Sequence, residues 1–389
     1  MVEGFYNMGV RVATTTVSNY AERIDHSVAG DCQAPRLIEF FAGSGLVDCG
    51  LQGLFDTVWA NDICVKKARV YTANHSAAPF HAGDIQSVNG RWVPPAHLSW
   101  ASFPCQDLSL AGMTGGIEAA RSGLVWQWLR VLDEMAARPK VLLAENVVGL
   151  VSTSGGKNYR LLHMALQERG YRVGAMLVNA WHFVPQSRPR IFVAAVAADV
   201  EIPEALTDDG PNWLHNDAIK RVAKGLPGWL WWRMPEPGPL QVSLADIVEW
   251  DAPSDAAAAV NKNLAMMPEK HRQRLLTATS DETVIATGYK RTRNGKQVLE
   301  VRFDGLAGCL RTPEGGSSRQ LLILKRNGEI RTRLITVREA ARLMGAPETF
   351  SIPGGYNEGY KAMGDAVAAP VAAYLGRHLL RPLTEAAYE

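Results

Sequence analysis

Leu98-Ser99-Trp100-Ala101-Ser102 runs directly into Phe103-Pro104-Cys105-Gln106. The first five residues form a short apolar run with the length of a buried strand, and the proline then ends it. Further on, Val141-Leu142-Leu143 runs in the same way into Ala144-Glu145-Asn146-Val147. Each places a reactive group just past a buried strand, where open α/β sheets bind their ligands. A thiol and a carboxylate at neighbouring strand ends suit attack by sulfur assisted by a proton donor.

Around these two stretches the chain alternates apolar strands with helical segments. Strands are predicted at Arg36 to Phe41, Thr57 to Ala60, Leu98 to Phe103, Val141 to Ala144, Arg172 to Asn179 and Ile191 to Val196. Helical spacing is clear in Gly123 to Met135 and Leu161 to Arg169. Such alternation predicts a parallel, doubly wound sheet. After Val200 the pattern breaks at Pro203, Pro211, Pro227, Pro235, Pro237, Pro239 and Pro253, and five of the eleven tryptophans fall in the same region. Residues from 201 to about 330 therefore read as a second, irregular and partly β domain, with the Trp-rich part, 213–250, as its packing. Thr332 to Met344 reads as a helix with Thr336 as N-cap and Glu339 as its capping-box partner. Ala362 to Leu380 is a last helix-like segment.

Composition narrows the function classes. With 389 residues, 47% hydrophobic and 21% charged, the chain fits a soluble globular protein of two domains. No apolar run is long enough to span a bilayer, and Met1 to Tyr20 lacks the pattern of a secretory signal, so the expectation is a cytoplasmic protein without membrane contact. Cys32, Cys49, Cys64, Cys105 and Cys309 are odd in number and contain no Cys-x-x-Cys pair, which argues against a disulfide framework and against a metal site. Net charge is only +2, but Asn261 to Gly345 carries 17 Lys and Arg against 8 Asp and Glu. Such a block is either a phosphate-binding surface or a solvated face laced with salt bridges.

Glu39-Phe40-Phe41-Ala42-Gly43-Ser44-Gly45 follows the first strand. Its glycines allow close backbone approach to a ligand, and the following helix would direct its N–H groups there. The pattern is neither Gly-x-Gly-x-x-Gly, since Asp48 holds the third position, nor a Walker loop. Asp62, at the end of the second strand, is placed to accept from ribose hydroxyls. Asp84, in Gly83-Asp84-Ile85, is placed to accept from an adenine amino group. Taken singly, each acid reads as a loop cap. In register with the glycine loop, and without a phosphate cradle, they point to S-adenosylmethionine.

Taken in order, these blocks resemble the DNA (cytosine-5) methyltransferases along nearly the whole chain. The matching blocks are Phe41-Ala42-Gly43-Ser44-Gly45, Asn61-Asp62, Gly83-Asp84-Ile85, Phe103-Pro104-Cys105-Gln106, Glu145-Asn146-Val147, Gln186-Ser187-Arg188-Pro189-Arg190, Arg333 to Gly345, and Gly364-Asp365-Ala366-Val367. The resemblance implies an α/β fold: a Rossmann-like class I methyltransferase sheet with a second, smaller, partly β target-recognition domain. It implies a catalytic, cofactor-binding domain at 1–200 plus 355–389, target recognition at 201–335 and a connecting helix at 336–354. Phe41, Gly43, Ser44, Gly45, Asp62, Ile63, Asp84, Pro104 and Asp365 would meet the cofactor. One position departs from the family, whose last block carries asparagine where this chain has Asp365, an acceptor-only group able to pair with the cofactor's ammonium.

The implied chemistry is methyl transfer to carbon-5 of cytosine. Addition of the Cys105 thiolate to carbon-6 makes carbon-5 enamine-like. Glu145, held protonated by burial, would neutralise charge at N3. Arg188 and Arg190 lie two apart on one strand face. One or both would hold the base's carbonyl oxygen and a flanking phosphate; the resemblance favours Arg190 for the base, and a plain surface arginine fits Arg188 better. The base must leave the duplex, at a cost of about a few kcal/mol, and Gln106 to Gly112, with Gln106 and Ser109, looks like the loop that closes over it. Arg311, Thr312, Gly316, Ser317, Ser318, Arg319 and Gln320 would contact double-stranded DNA. The implied partners are duplex DNA and a cognate restriction endonuclease that is not physically bound, with the chain a monomer. Two rival readings are an RNA (tRNA) cytosine-5 methyltransferase, opposed by the basic block, and a catalytically silent DNA-binding regulator, opposed by intact Cys105 and Glu145.

Overall fold

The computed structural model describes residues 34–76, 78–104, 123–279, 281–311 and 319–389. Cys105, Gln106, Ser109, Thr312, Gly316, Ser317 and Ser318 lie outside the described residues.

Seven strands form the main sheet in the order β3-β2-β1-β4-β5-β7-β6. They are β1 (Arg36–Phe40), β2 (Asp56–Asp62), β3 (Phe80–Ala82), β4 (Leu98–Ala101), β5 (Val141–Val147), β6 (Tyr171–Asn179) and β7 (Pro189–Ala197). β4 is buried along its whole length and β1 from Leu37 onward, because helices cover both sides, as parallel central strands require, and Glu39 and Ser99 are the polar exceptions in them. Leu37, Trp100, Leu143 and Phe192 enter one core, while Ile38, Ala101, Leu142 and Val193 enter the other. The first face is covered by α1 (Leu46–Leu51) and, later in the chain, α7 (Ala369–Leu375) and α8 (Arg381–Tyr388). The second is covered by α3 (Leu124–Glu134) and α4 (Lys157–Glu168). Helix α2 (Val65–Asn74) follows β2.

The sheet is not wholly parallel, contrary to the sequence expectation. β7 runs antiparallel to both β5 and β6. Parallel pairing needs a crossover of roughly a dozen residues or more, and the 180–188 link between β6 and β7 is too short. This reversal brings the start of β7 to the edge where the parallel strands end, with Arg190 opposite Val147.

A second, antiparallel sheet has the order β11-β10-β12-β13, formed by β10 (Val284–Arg293), β11 (Lys296–Arg302), β12 (Leu321–Arg326) and β13 (Glu329–Leu334). Its two tight hairpins turn at Asn294-Gly295 and Asn327-Gly328, all four residues with positive φ, as type I′ turns demand. Met267, Leu275, Ala286, Leu299, Leu321 and Ile323 form its separate core. The tryptophans expected to pack there lie elsewhere: Trp232 is buried in the first core and donates to the Gly174 and Ala194 carbonyls of the main sheet, joined by the two-stranded ladder β8 (Thr207–Asp208) and β9 (Trp231–Trp232). A side chain as large as Trp packs where a broad sheet edge offers apolar area. Much of the basic block is tied up locally, Arg291 and Arg293 with Glu300, Arg302 with Asp304 and Arg331 with Glu329.

Thr332 belongs to β13 rather than to the expected helix. Helix α5 (Val337–Leu343) begins after Thr336, whose hydroxyl accepts from Glu339 N while the Glu339 carboxylate accepts from Thr336 N. Helix α6 (Tyr356–Asp365) precedes α7, so the last segment is two helices with a break at Ala366 to Ala368. Among the described residues no helix is long and apolar enough to cross a membrane.

Candidate active site

The described blocks that follow β1, β3 and β4, end β2 and β5, and begin β7 lie along one edge of the main sheet, whereas Arg333 to Gly345 belongs to β13 and the helix after it. β1, β4 and β5 end there, β7 begins there, and strand order reverses between β2-β1 and β4-β5. At such a switch point the loops diverge and leave a crevice.

The glycine loop is built on strain and buried carboxylates. Phe41 and Gly43 both have φ 57° and Gly45 has φ 83°. For Phe41 this is an uncommon conformation held by its surroundings. Only glycine fits at 45, because a Cβ there would lie 2.6 Å from the His75 ring and 2.9 Å from Tyr71. Asp62 accepts from Gly43 N at 2.9 Å through one oxygen and from Cys64 N at 2.8 Å through the other. It thus fixes both the loop and the start of α2, and the loop-cap reading is realised; each oxygen keeps a second lone pair for a ligand. Ser44 is buried and donates to Ala362 O at 3.2 Å, which ties the loop to α6. Asp84 caps its own turn by accepting from Gln86 N at 2.9 Å. Ile63 is 66% exposed beside Asp62, a large apolar side chain with no core to enter, and Pro104 is also exposed.

Glu39, quoted in the sequence but given no role there, lies beneath this loop, 1% exposed, and its Oε2 has no hydrogen-bond partner. Burial, then Asp48 and Asp62, raise its pKa well above the usual carboxylate range. Unpaired buried polar atoms are rare in folded proteins. An orphaned carboxyl oxygen under a loop that excludes side chains therefore fits a site awaiting a polar ligand.

On the next strands, Glu145 lies within β5 rather than just past it as expected, because pairing with β7 carries the strand on to Val147; it is 7% exposed, with Oε1 3.0 Å from Arg190 Nε. Burial raises its pKa, and the guanidiniums of Arg190 and Arg188 only partly offset this. Arg188 is no surface residue: it is 2% exposed and donates to the carbonyls of Leu310 at 3.1 Å, Gly364 at 3.0 Å and Ala366 at 2.6 Å. The short β6–β7 link buries the residue at its end, so Arg188 becomes a clamp joining three distant segments. Arg188 and Arg190 do face the same way, for both approach Cys309 Sγ, at 3.3 and 3.8 Å.

Two further residues from the quoted blocks acquire roles only here. Asn146 donates to Phe103 O at 2.9 Å, which pins the strand end immediately before Pro104-Cys105 to the strand carrying Glu145. Gln186 is fully buried, donates to Leu343 O at 2.7 Å and accepts from Leu310 N at 3.0 Å, seating the segment that bears Cys309 and Arg311. Polar residues inside motif blocks signalled both. Nothing local marked Cys309.

Of the expected DNA contacts that are described, Arg311 is exposed. Arg319 stacks over Tyr356, its Cζ 5.4 Å from the ring centre, and donates to Asn357. Gln320 is 1% exposed: its side chain donates to Gly288 O at 3.2 Å and its backbone N–H to the Tyr360 hydroxyl at 2.9 Å. It supports the base of the small sheet instead of facing outward, because it immediately precedes β12. Asp365 forms an ion pair with Lys67, Oδ2 to Nζ 2.6 Å. Among the described residues no cluster of His, Cys, Asp and Glu has the arrangement of a metal site.

A family model described as C-5 cytosine-specific DNA methylase matches residues 35–381. The chain is 25% identical over 354 residues to the type II methyltransferase M.Bsp6I of Bacillus sp. (strain RFL6), covering 90% of this chain and 99% of that one. It is likewise 25% identical over 353 residues to the type II methyltransferase M.HhaI of Haemophilus parahaemolyticus, covering 88% and 94%. In fold it is similar to the Dnmt2 methyltransferase of S. pombe, with TM-score 0.56, 19% identity and coverage of 88% and 96%. With the family match spanning nearly all of a sheet whose motif residues meet at one edge, the chain belongs to the C-5 cytosine-specific DNA methylases and is an enzyme of that class.

Proposed function

We propose that this enzyme transfers a methyl group from S-adenosylmethionine to carbon-5 of a cytosine within a specific duplex DNA sequence, on a base turned out of the helix. The observation that carries the reading is the buried, pKa-raised Glu145 held by Arg190, one strand away from the β4 end that leads into Cys105.

The chemistry asks for a nucleophile, a proton donor and a clamp. The Cys105 thiolate adds to carbon-6 of the ring, and a protonated Glu145 offsets the charge that develops on N3. Arg190 orients Glu145 and presents guanidinium N–H groups to the base's carbonyl oxygen. Asn146, donating to Phe103 O, ties the end of β4 to the strand that carries Glu145. Phe41, Gly43, Ser44, Gly45 and Asp62, with Glu39 beneath, would hold the methyl donor, which when bound supplies an electrophilic methyl on a sulfonium. Loss of the carbon-5 proton and departure of the Cys105 sulfur restore the aromatic ring.

The test is a duplex carrying 5-fluorocytosine at target sites, incubated with S-adenosylmethionine. Fluorine cannot leave as a proton does, so an irreversible adduct through Cys105 is expected by mass spectrometry. Cys105→Ala is expected to cut turnover by roughly a thousandfold or more while retaining duplex binding. Methylation of tRNA in place of duplex DNA would shift the assignment to the RNA-directed reading, and no adduct on either would refute the mechanism.

A further inference from the structure

Lys67 and Asp365 come from opposite ends of the chain and meet at 2.6 Å beside the glycine loop. Lys67 projects from the first turn of α2, Asp365 ends α6. The Lys67 side chain lies over the loop itself, its Cδ 3.9 Å from where a Cβ on Gly43 would stand. Asp62, which holds Gly43 N, adds to the field that keeps this ammonium charged: burial works against the charge, but Asp365 and Asp62 outweigh it.

The docking of α2 on α6 has other supports. Lys66 pairs with Glu358 at 2.7 Å on the exposed side. Asn74 exchanges two hydrogen bonds with the Ser351 backbone, at 2.8 and 2.7 Å, on the approach to α6. A shielded ion pair adds little net stability once desolvation is counted, so a second, more buried pair at the loop calls for another reason. The neighbourhood is also rich in acid, with Glu39, Asp48, Asp62 and Asp365 around the loop, and Lys67 stands among them, facing Asp365 and Asp62.

We propose that Lys67 and Asp365 together receive the amino-acid end of the methyl donor, Lys67 taking its α-carboxylate and Asp365 its α-ammonium. This rests on the cofactor reading above and deepens it. An amino acid carries one charge of each sign on adjacent atoms, and an ion pair is its complement. The surrounding carboxylates suit the ammonium and sulfonium, but would repel the α-carboxylate were Lys67 missing. The aspartate at 365 and the lysine at 67 are then one device: the acid is tolerable at the position of the family's asparagine because the lysine stands against it.

The experiment compares calorimetric binding of S-adenosylhomocysteine with that of 5′-methylthioadenosine, which shares the nucleoside and the thioether but lacks the amino-acid end. Wild type is expected to prefer S-adenosylhomocysteine. K67M should weaken S-adenosylhomocysteine by about tenfold or more, as for loss of a charge-assisted hydrogen bond, and 5′-methylthioadenosine by less than about twofold. K67R should retain the preference, and K67M/D365N should regain part of it, because asparagine needs no counter-ion. Equal weakening of both ligands by K67M, or no weakening, would overturn the assignment and leave the pair as a helix clasp. Should K67M fail to fold, a K67R protein without the preference would overturn it equally. Failure of wild type to bind either ligand would overturn the cofactor reading, and this assignment with it.

Discussion

Arg190 Nε lies 3.0 Å from Glu145 Oε1, across the antiparallel pair β5–β7 in which Glu145 stands opposite Phe192 and Val147 opposite Arg190. The contact places one positive charge on a buried acid whose pKa burial raises and arginine lowers. Replacing Arg190 by Gln removes the lowering influence, so the Glu145 pKa should rise further. If protonated Glu145 is the active form, the alkaline limb of kcat/KM moves upward while the rate falls by about a hundredfold. A downward shift would contradict the arrangement.

Stability should follow the same sign. A carboxyl whose folded pKa is raised favours folding below its unfolded value near 4.5 and costs stability as pH climbs through the folded value. Glu145→Gln has no such titration. Its stability relative to wild type should therefore improve as pH rises above about 4.5, read from urea midpoints across a pH series. A flat difference would show that the pKa is not raised.

Arg188 is expected to be a folding determinant more than a catalytic one. Its guanidinium spans the carbonyls of Leu310, Gly364 and Ala366, a geometry that a single ammonium does not reproduce. Arg188→Ala should cost at least about 3 kcal/mol, and Arg188→Lys most of that. Equilibrium denaturation measures it, and near-wild-type stability of the alanine variant would remove the clamp.

The described cysteines should differ in reactivity. Burial and Asp48 push the Cys49 thiol up to about 11. At Cys309 burial opposes ionisation, but the guanidiniums of Arg188 and Arg190 outweigh it and bring the thiol below its usual range. Limiting iodoacetamide at neutral pH should therefore mark Cys309 before Cys49, because the thiolate is the nucleophile. Peptide mass spectrometry decides the order.

Glu339 joins the connecting helix to its surroundings. It binds the buried Arg333 guanidinium at 2.5 and 2.7 Å, Thr336 N at 2.7 Å and Glu249 N at 2.7 Å. Glu339→Ala strands a buried arginine and should cost about 3–5 kcal/mol. A loss no larger than that of an ordinary helix cap, about 1 kcal/mol, would show that the arginine finds another partner.

Much of this was legible before any coordinates. Apolar runs expected to end at Phe41, Phe103 and Ala144 marked β1, β4 and β5, which end at Phe40, Ala101 and Val147, since a strand buried on both faces is mostly apolar. Thr336 and Glu339 announced a helix start through a local hydrogen-bond exchange. The Trp-rich segment misled, because composition records that a side chain will be buried and not against which sheet. Gln320 misled for a related reason: a polar residue in a motif can face its own fold as readily as a ligand.

By itself the sequence determined which residue types stand at the strand ends and in what order, because burial periodicity and turn chemistry are local. Only the tertiary structure decided which of them meet. The reversed β7 brought Arg190 to Glu145, the short link before it buried Arg188, and the return of the chain through α6 set Asp365 against Lys67. These are pairings across long stretches of chain, chosen by sheet topology and by the cost of leaving a buried charge unpartnered, and no local pattern carries them.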